Sequence, residues 1–139
     1  MWICLKCGRI FDHKFQPHSC KKIPLEEHFG NKPRARELFD LLVKEADTKI
    51  GKCRIISLPC CIHLFGTYNF LAALPKKDRL EIRFALPRKL DSPRFRQGVP
   101  LSAKSYKNCL DISSQQEIDE ELIKWLDESY HLKDQHEAA

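Results

Sequence analysis

Apolar positions recur along this 139-residue chain with two different periods. From Pro33, a residue suited to the first turn of a helix, Ala35, Leu38, Phe39, Leu42, Ala46 and Ile50 fall at helical spacing and Gly51 supplies a stop, which predicts one amphipathic helix of about five turns. Before it, Leu25 to Phe29 reads as a short helical turn ended by Gly30. After Gly51 the pattern shortens. Cys53 to Leu58, Cys60 to Phe65 and Tyr68 to Leu74 are rich in strand formers and separated by Pro59 and Gly66-Thr67, so they predict consecutive antiparallel strands. In Arg79 to Leu86 the apolar Leu80, Ile82, Phe84 and Leu86 alternate with Arg79, Glu81, Arg83 and Ala85, giving one buried and one charged face, with Glu81 expected to pair across strands with a base. Pro87 to Leu101 holds three prolines and no sustained period and reads as a long loop; Tyr106 to Ile112 reads as a further strand. The last element is a helix opened by the capping box Ser114-Gln115-Gln116-Glu117, with Glu117, Asp119 and Glu120 in its first turn. Its apolar stripe is Ile118, Leu122, Trp125, Leu126 and Tyr130.

The predicted fold is α+β, an antiparallel sheet of about five strands with two main helices, and it occupies residues 23–139. Residues 1–22 follow no such period and are set apart by the polar connector Lys21-Lys22-Ile23-Pro24. They contain Cys4-x-x-Cys7 and, ten residues on, His18-x-Cys20, three thiols and an imidazole that complete a tetrahedral zinc shell. In a Cys-x-x-Cys-Gly turn both sulfurs converge, and Gly8 permits the tight backbone. Trp2, Ile10, Phe11 and Phe15 are too few apolar groups to fold such a segment alone, so structural zinc, one ion per chain, would supply its folding free energy. His13 is an alternative to His18 as the fourth ligand. With four protein ligands the site is closed to substrate water.

Composition adds little beyond ordinary globular values, 42% apolar and 31% charged, which exclude collagen-like and fully disordered chains. The longest apolar run, Phe70 to Leu74, stops at Pro75, far short of a membrane span, and no signal peptide is read; a cytoplasmic location is expected. Seven cysteines, an odd number, fit a reducing compartment. Cys53, Cys60, Cys61 and Cys109 read mostly as core, with Cys60 and Cys61 on opposite faces of a strand. His63, between Ile62 and Leu64, reads as a surface or satisfied half-buried histidine.

Charge is unevenly spread. The net +5 divides into +4 over residues 1–22, +7 over 23–113 and −6 over 114–139. The most basic window includes Lys76, Lys77, Arg83, Arg88, Arg94, Arg96, Lys104 and Lys107. Together with the knuckle these residues suggest contacts to nucleic-acid phosphates, with Phe84, Phe95 and Tyr106 as interleaved aromatics.

Glu27-His28-Phe29 with Lys32-Pro33, the helix Arg36-Glu37-Leu38-Phe39-Asp40, the strand Leu80 to Leu86, Ser92-Pro93-Arg94-Phe95, and Ile118-Asp119-Glu120-Glu121-Leu122 with Trp125-Leu126 and Tyr130 resemble an uncharacterised prokaryotic family, domain-of-unknown-function family 5655. The likeness runs from about Leu25 to Tyr130. The stretch Trp2 to Phe11 with Gln16 to Cys20 is similar to a short metal-binding extension that some such proteins carry. The resemblance implies a compact α+β domain and no established activity, with histidines in many members where this chain has Lys107-Asn108.

Nucleic-acid binding is thus the leading expectation. A second is a small-molecule or anion-binding domain, or an enzyme, in which His28, Arg94 and Phe95 line a pocket and Arg94 forks onto a carboxylate or phosphate. No Gly-rich phosphate loop, nucleophile elbow or metalloprotease motif accompanies it, so no catalytic residue is assigned. A third is a protein-interaction adaptor that docks a basic partner on the acidic C-terminal helix.

Overall fold

The computed structural model describes residues 2–6, 9–11, 13–17, 21–66, 68–88, 94–102 and 105–132, with the backbone alone for 95–102 and 105. Two short strands come first, β1 (Trp2–Ile3) and β2 (Ile10–Phe11), paired antiparallel with Trp2 opposite Phe11. A 3-10 turn over Leu25–Phe29 leads into helix α1 (Pro33–Lys49), which buries Ala35, Leu38, Phe39, Leu42 and Ala46, the residues its period marks. Strands β3 (Arg54–Ser57), β4 (Ile62–Phe65), β5 (Asn69–Pro75) and β6 (Leu80–Leu86) then form an antiparallel meander.

Beyond β6 the order departs from the chain. Strand β7 (Phe95–Ser102) takes the edge of the sheet, and β8 (Ser105–Ile112) lies between it and β6, giving the order β3-β4-β5-β6-β8-β7. The sheet therefore has six strands, the sixth drawn from the stretch read as a loop. Helix α2 (Glu120–Tyr130) closes the described fold. The capping-box carboxylate does reach back, Glu117 Oε1 accepting from the amides of Ser113 at 2.9 Å and Ser114 at 3.1 Å, but it closes a 3-10 turn over Gln115–Glu117. The cap of α2 is instead Asp119, whose Oδ1 accepts from the Leu122 amide at 3.0 Å.

Both helices pack on β5 and β6 and against each other. Leu38 and Leu42 of α1 and Leu122 and Leu126 of α2 share one core with Leu80, Ile82, Phe84 and Leu86, so the even positions of β6 face the helices. Because side chains alternate along a strand, Glu81 and Arg83 point to the opposite face. Directly paired residues share a face, and the registers Ile56–His63, His63–Ala72, Ala72–Arg83 and Arg83–Cys109 draw one row across that second surface. Glu81 is nonetheless only 3% exposed and meets Arg83 of its own strand at 2.7 Å.

Candidate functional site

The β3–β4 connection is a two-residue turn. Leu58 donates to the Cys61 carbonyl at 3.0 Å, leaving Pro59 and Cys60 at the tip. Cys60 is thus not on an extended strand, and the expectation that the two cysteines face apart fails for that reason. The Cys60 and Cys61 sulfurs lie 3.2 Å apart on one side of the turn. Cys61, just before β4, and His63, within it, share the face opposite the helices, with Cys61 Sγ 3.0 Å from His63 Nε2. The other ring nitrogen, Nδ1, accepts from the Asn69 amide of β5. Cys60 Sγ, Cys61 Sγ and His63 thereby present ligand atoms all within 4.8 Å of one another, a grouping that can hold a metal ion. The signal in the sequence was Pro59, which puts the next residue in a turn; reading the segment as continuous strand hid it.

The electrostatics of this cluster follow from its burial. Desolvation, together with the neighbouring Cys60 thiol, pushes the Cys61 thiol up to about 12 against the pull of the Arg83 and Arg9 charges. Burial and then the Arg9 charge hold His63 below its ordinary value, opposed by the Asn69 hydrogen bond. Cysteine, histidine and asparagine in sequence have the outline of a nucleophile, base and orienting amide. A thiol held so high supplies almost no thiolate at neutral pH, however, so nucleophilic catalysis is not what the arrangement favours. Burial likewise raises the Cys53 thiol to about 11.

Of the N-terminal ligand set, Cys4 is buried, and its amide donates to the Arg9 carbonyl at 2.9 Å, a bond between the residues that follow β1 and precede β2. Cys7, His18 and Cys20 lie outside the described residues, while His13 is exposed. The hairpin meets the sheet: Ile10 lines a cavity of about 590 Å³ with Lys52, Cys53, Arg54, Phe65, Gly66 and Tyr130.

The basic residues divide. Lys76 and Lys77 stand at the β5–β6 turn, Lys77 exposed, and Lys107 is half-buried on β8. Arg83 is committed to Glu81 and Arg88 pairs with Glu128 at 2.9 Å. Arg94 Nη1 lies 3.1 Å from both Asp119 Oδ1 and Glu121 Oε1, Nη2 donates to the Glu117 carbonyl at 2.6 Å, and the guanidinium sits over the Trp125 ring. Arg94 is therefore turned to α2 and its own acidic groups. The Arg96 and Phe95 side chains and Lys104 lie outside the described residues, Phe84 is buried and Tyr106 half-buried. His28 is half-buried, its Nε2 shielded from water without a hydrogen-bond partner.

These features define a small α+β protein with two helices on one sheet face and a thiol–imidazole cluster on the other. The chain belongs to the family described as Domain of unknown function (DUF5655), whose model matches residues 25–133. Neither the curated proteins nor the solved structures provide a significant match. Among the described residues no helix is long and apolar enough to cross a membrane.

Proposed function

We propose that residues 1–22 form a zinc knuckle on Cys4, Cys7, His18 and Cys20, and that this knuckle lets the protein act as a cytoplasmic accessory module on single-stranded nucleic acid. The observation that carries the reading is Phe15. Its side chain is 72% exposed, alongside Leu5 at 98% and Ile3 at 54%, in a segment of net charge +4. Exposed apolar groups cost hydration free energy, and an aromatic ring set among cations is the surface on which nucleic-acid bases stack. Phe15 holds a left-handed backbone at φ 56°, the ring lies 5.4 Å from Trp2, and the Lys14 ammonium stands 5.5 Å from its centroid. A residue with a Cβ adopts that conformation at a cost, which fits a ring held for contact. The burial of Cys4 and its hydrogen bond to the Arg9 carbonyl support the zinc part. Lys76, Lys77, Arg96, Lys104 and Lys107 supply further phosphate contacts in this reading; Arg83, Arg88 and Arg94 are already engaged within the chain.

Binding of zinc-loaded protein to a labelled single-stranded oligonucleotide across a salt series tests it. Affinity should fall linearly in log–log with salt, and Phe15→Ala should weaken it by about 1–3 kcal/mol. Absence of binding at low salt, or binding indifferent to Phe15→Ala and Lys14→Ala, overturns the nucleic-acid reading. Native mass spectrometry tests the zinc: His18→Ala and Cys20→Ala should each lose one ion per chain, and unchanged zinc content overturns the ligand assignment.

A further inference from the structure

The proposed knuckle makes no use of Cys60, Cys61 and His63. Their placement is built by the fold, because a two-residue turn puts the sulfurs side by side and the strand period adds the imidazole on the same face. The geometry points to a second metal site, in which Cys60 Sγ, Cys61 Sγ and His63 Nε2 bind one thiophilic ion, zinc being the ion this donor set suits.

The distances are close to those zinc requires. Bond lengths of about 2.3 Å to sulfur and about 2.0 Å to nitrogen in a tetrahedron separate two sulfurs by about 3.8 Å and a sulfur from a nitrogen by about 3.5 Å. The ligand atoms stand at 3.2 and 3.0 Å, so a spread of about half an ångström admits the ion. Cys60 can give the sulfur–sulfur part of that movement, since it lies exposed at a turn tip and is free of a disulfide, and the sulfur–nitrogen part falls to the Cys61 and His63 side chains. Two thiolates and an imidazole also discriminate: calcium and magnesium prefer oxygen, and the soft donors exclude them. Both thiols give up their protons to solvent as the ion binds.

Asn69 fixes the imidazole. Its amide N–H donates to Nδ1, so the proton sits on Nε2 and points at Cys61. Metal binding through Nε2 moves that proton to Nδ1, and a half-turn of the Asn69 amide then offers Oδ1 as its acceptor. A ligating histidine whose second nitrogen is held in this way is the usual arrangement at metal centres. The three protein ligands leave the fourth position to water or to an exogenous donor on the exposed Cys60 side.

The site stands independently of the knuckle, and one experiment separates them. Reduced full-length protein, stripped of metal, is titrated with cobalt(II) and with zinc, following the thiolate-to-cobalt charge-transfer band and the stoichiometry by native mass spectrometry. Two equivalents should bind to the wild type. Cys60→Ser, at an exposed position, should abolish one of them with the circular dichroism unchanged, and His63→Gln should do the same, whereas Cys53→Ser and Cys109→Ser should leave both. Cys20→Ser should remove the other equivalent and keep this one, so failure of the knuckle does not mimic failure here. A stoichiometry unaffected by both Cys60→Ser and His63→Gln overturns the proposal. So does a reduced dithiol that takes up no second ion and simply closes to a disulfide in air.

Discussion

Arg94 keeps only 19% of its side chain exposed, against 56% for Arg88, although both are paired with carboxylates of the C-terminal helix region. Exposed pairs contribute little because water screens them and two long side chains must be ordered, so Arg88→Ala should lower stability by less than about 1 kcal/mol. Arg94→Ala removes several charge-assisted bonds and an aromatic contact at once and should cost about 2 kcal/mol, measured as a shift of the urea midpoint at constant slope. Equal losses would contradict the burial. Asp119 carries the matching pH dependence. Burial pushes its carboxyl up, but the Leu122 amide and the Arg94 guanidinium outweigh that and hold it below the ordinary carboxylate value. Its stabilisation is therefore full above about pH 4 and is lost as the pH falls further, where the unfolded chain takes up the proton first. Asp119→Asn keeps a capping oxygen and should flatten that acid limb, whereas an unchanged limb in an acid titration of the melting temperature would assign it to other carboxylates. The sequence marks Arg94 as a fork for a carboxylate or phosphate. The carboxylates it meets are the chain's own, 25 and 27 residues away, and contacts at such separations leave no trace in local spacing.

Elements with an unbroken period were legible. Helix α1 and strand β6 follow their apolar spacing to within a residue or so, because each buries a single face against one layer. Strand β7 was not legible: its register with β8 shifts between Phe95 and Gln97 and again between Pro100 and Ser102, and each irregularity disturbs the alternation that would announce a strand. Gly98 and Pro100 inside it belong to an edge, where an unpaired side tolerates them. The thiol–imidazole trio was hidden by the opposite error, a turn read as strand. Helix α2 is clasped at its far end by Tyr130, whose ring edge meets Phe70 and whose hydroxyl donates to the Lys52 carbonyl at 3.1 Å. A Cβ at Gly66 would overlap that ring, and one at Gly51 would come within 2.9 Å of the hydroxyl. Gly66→Ala should therefore cost about 1–3 kcal/mol by overpacking, and Tyr130→Ala in the same chain should make the added methyl nearly neutral. A double-mutant cycle in urea measures this coupling; simple additivity would mean the ring moves aside freely.

At the scale of the whole molecule, charge and topology combine. The basic middle of the chain and its acidic C-terminal segment meet through Arg88–Glu128 and Arg94–Asp119, so part of the uneven charge is settled internally. The sheet order was beyond reach of the sequence, since each strand's pattern states which face it buries and never which neighbour it takes. That order grades stability: β6 is bonded on both sides, whereas β7 has β8 alone. Amide exchange of β6 should approach the global unfolding limit and that of β7 should be measurably faster, and uniform protection across the sheet would count against this gradation. The inserted place of β8 also bears on synthesis at the ribosome. Until residues 105–112 have emerged, β6 has no partner on one side and β7, already made, has nowhere to dock, so a nascent chain halted near residue 102 exposes an unpaired strand edge. Premature stop codons in that stretch should accordingly give aggregates rather than shortened soluble protein.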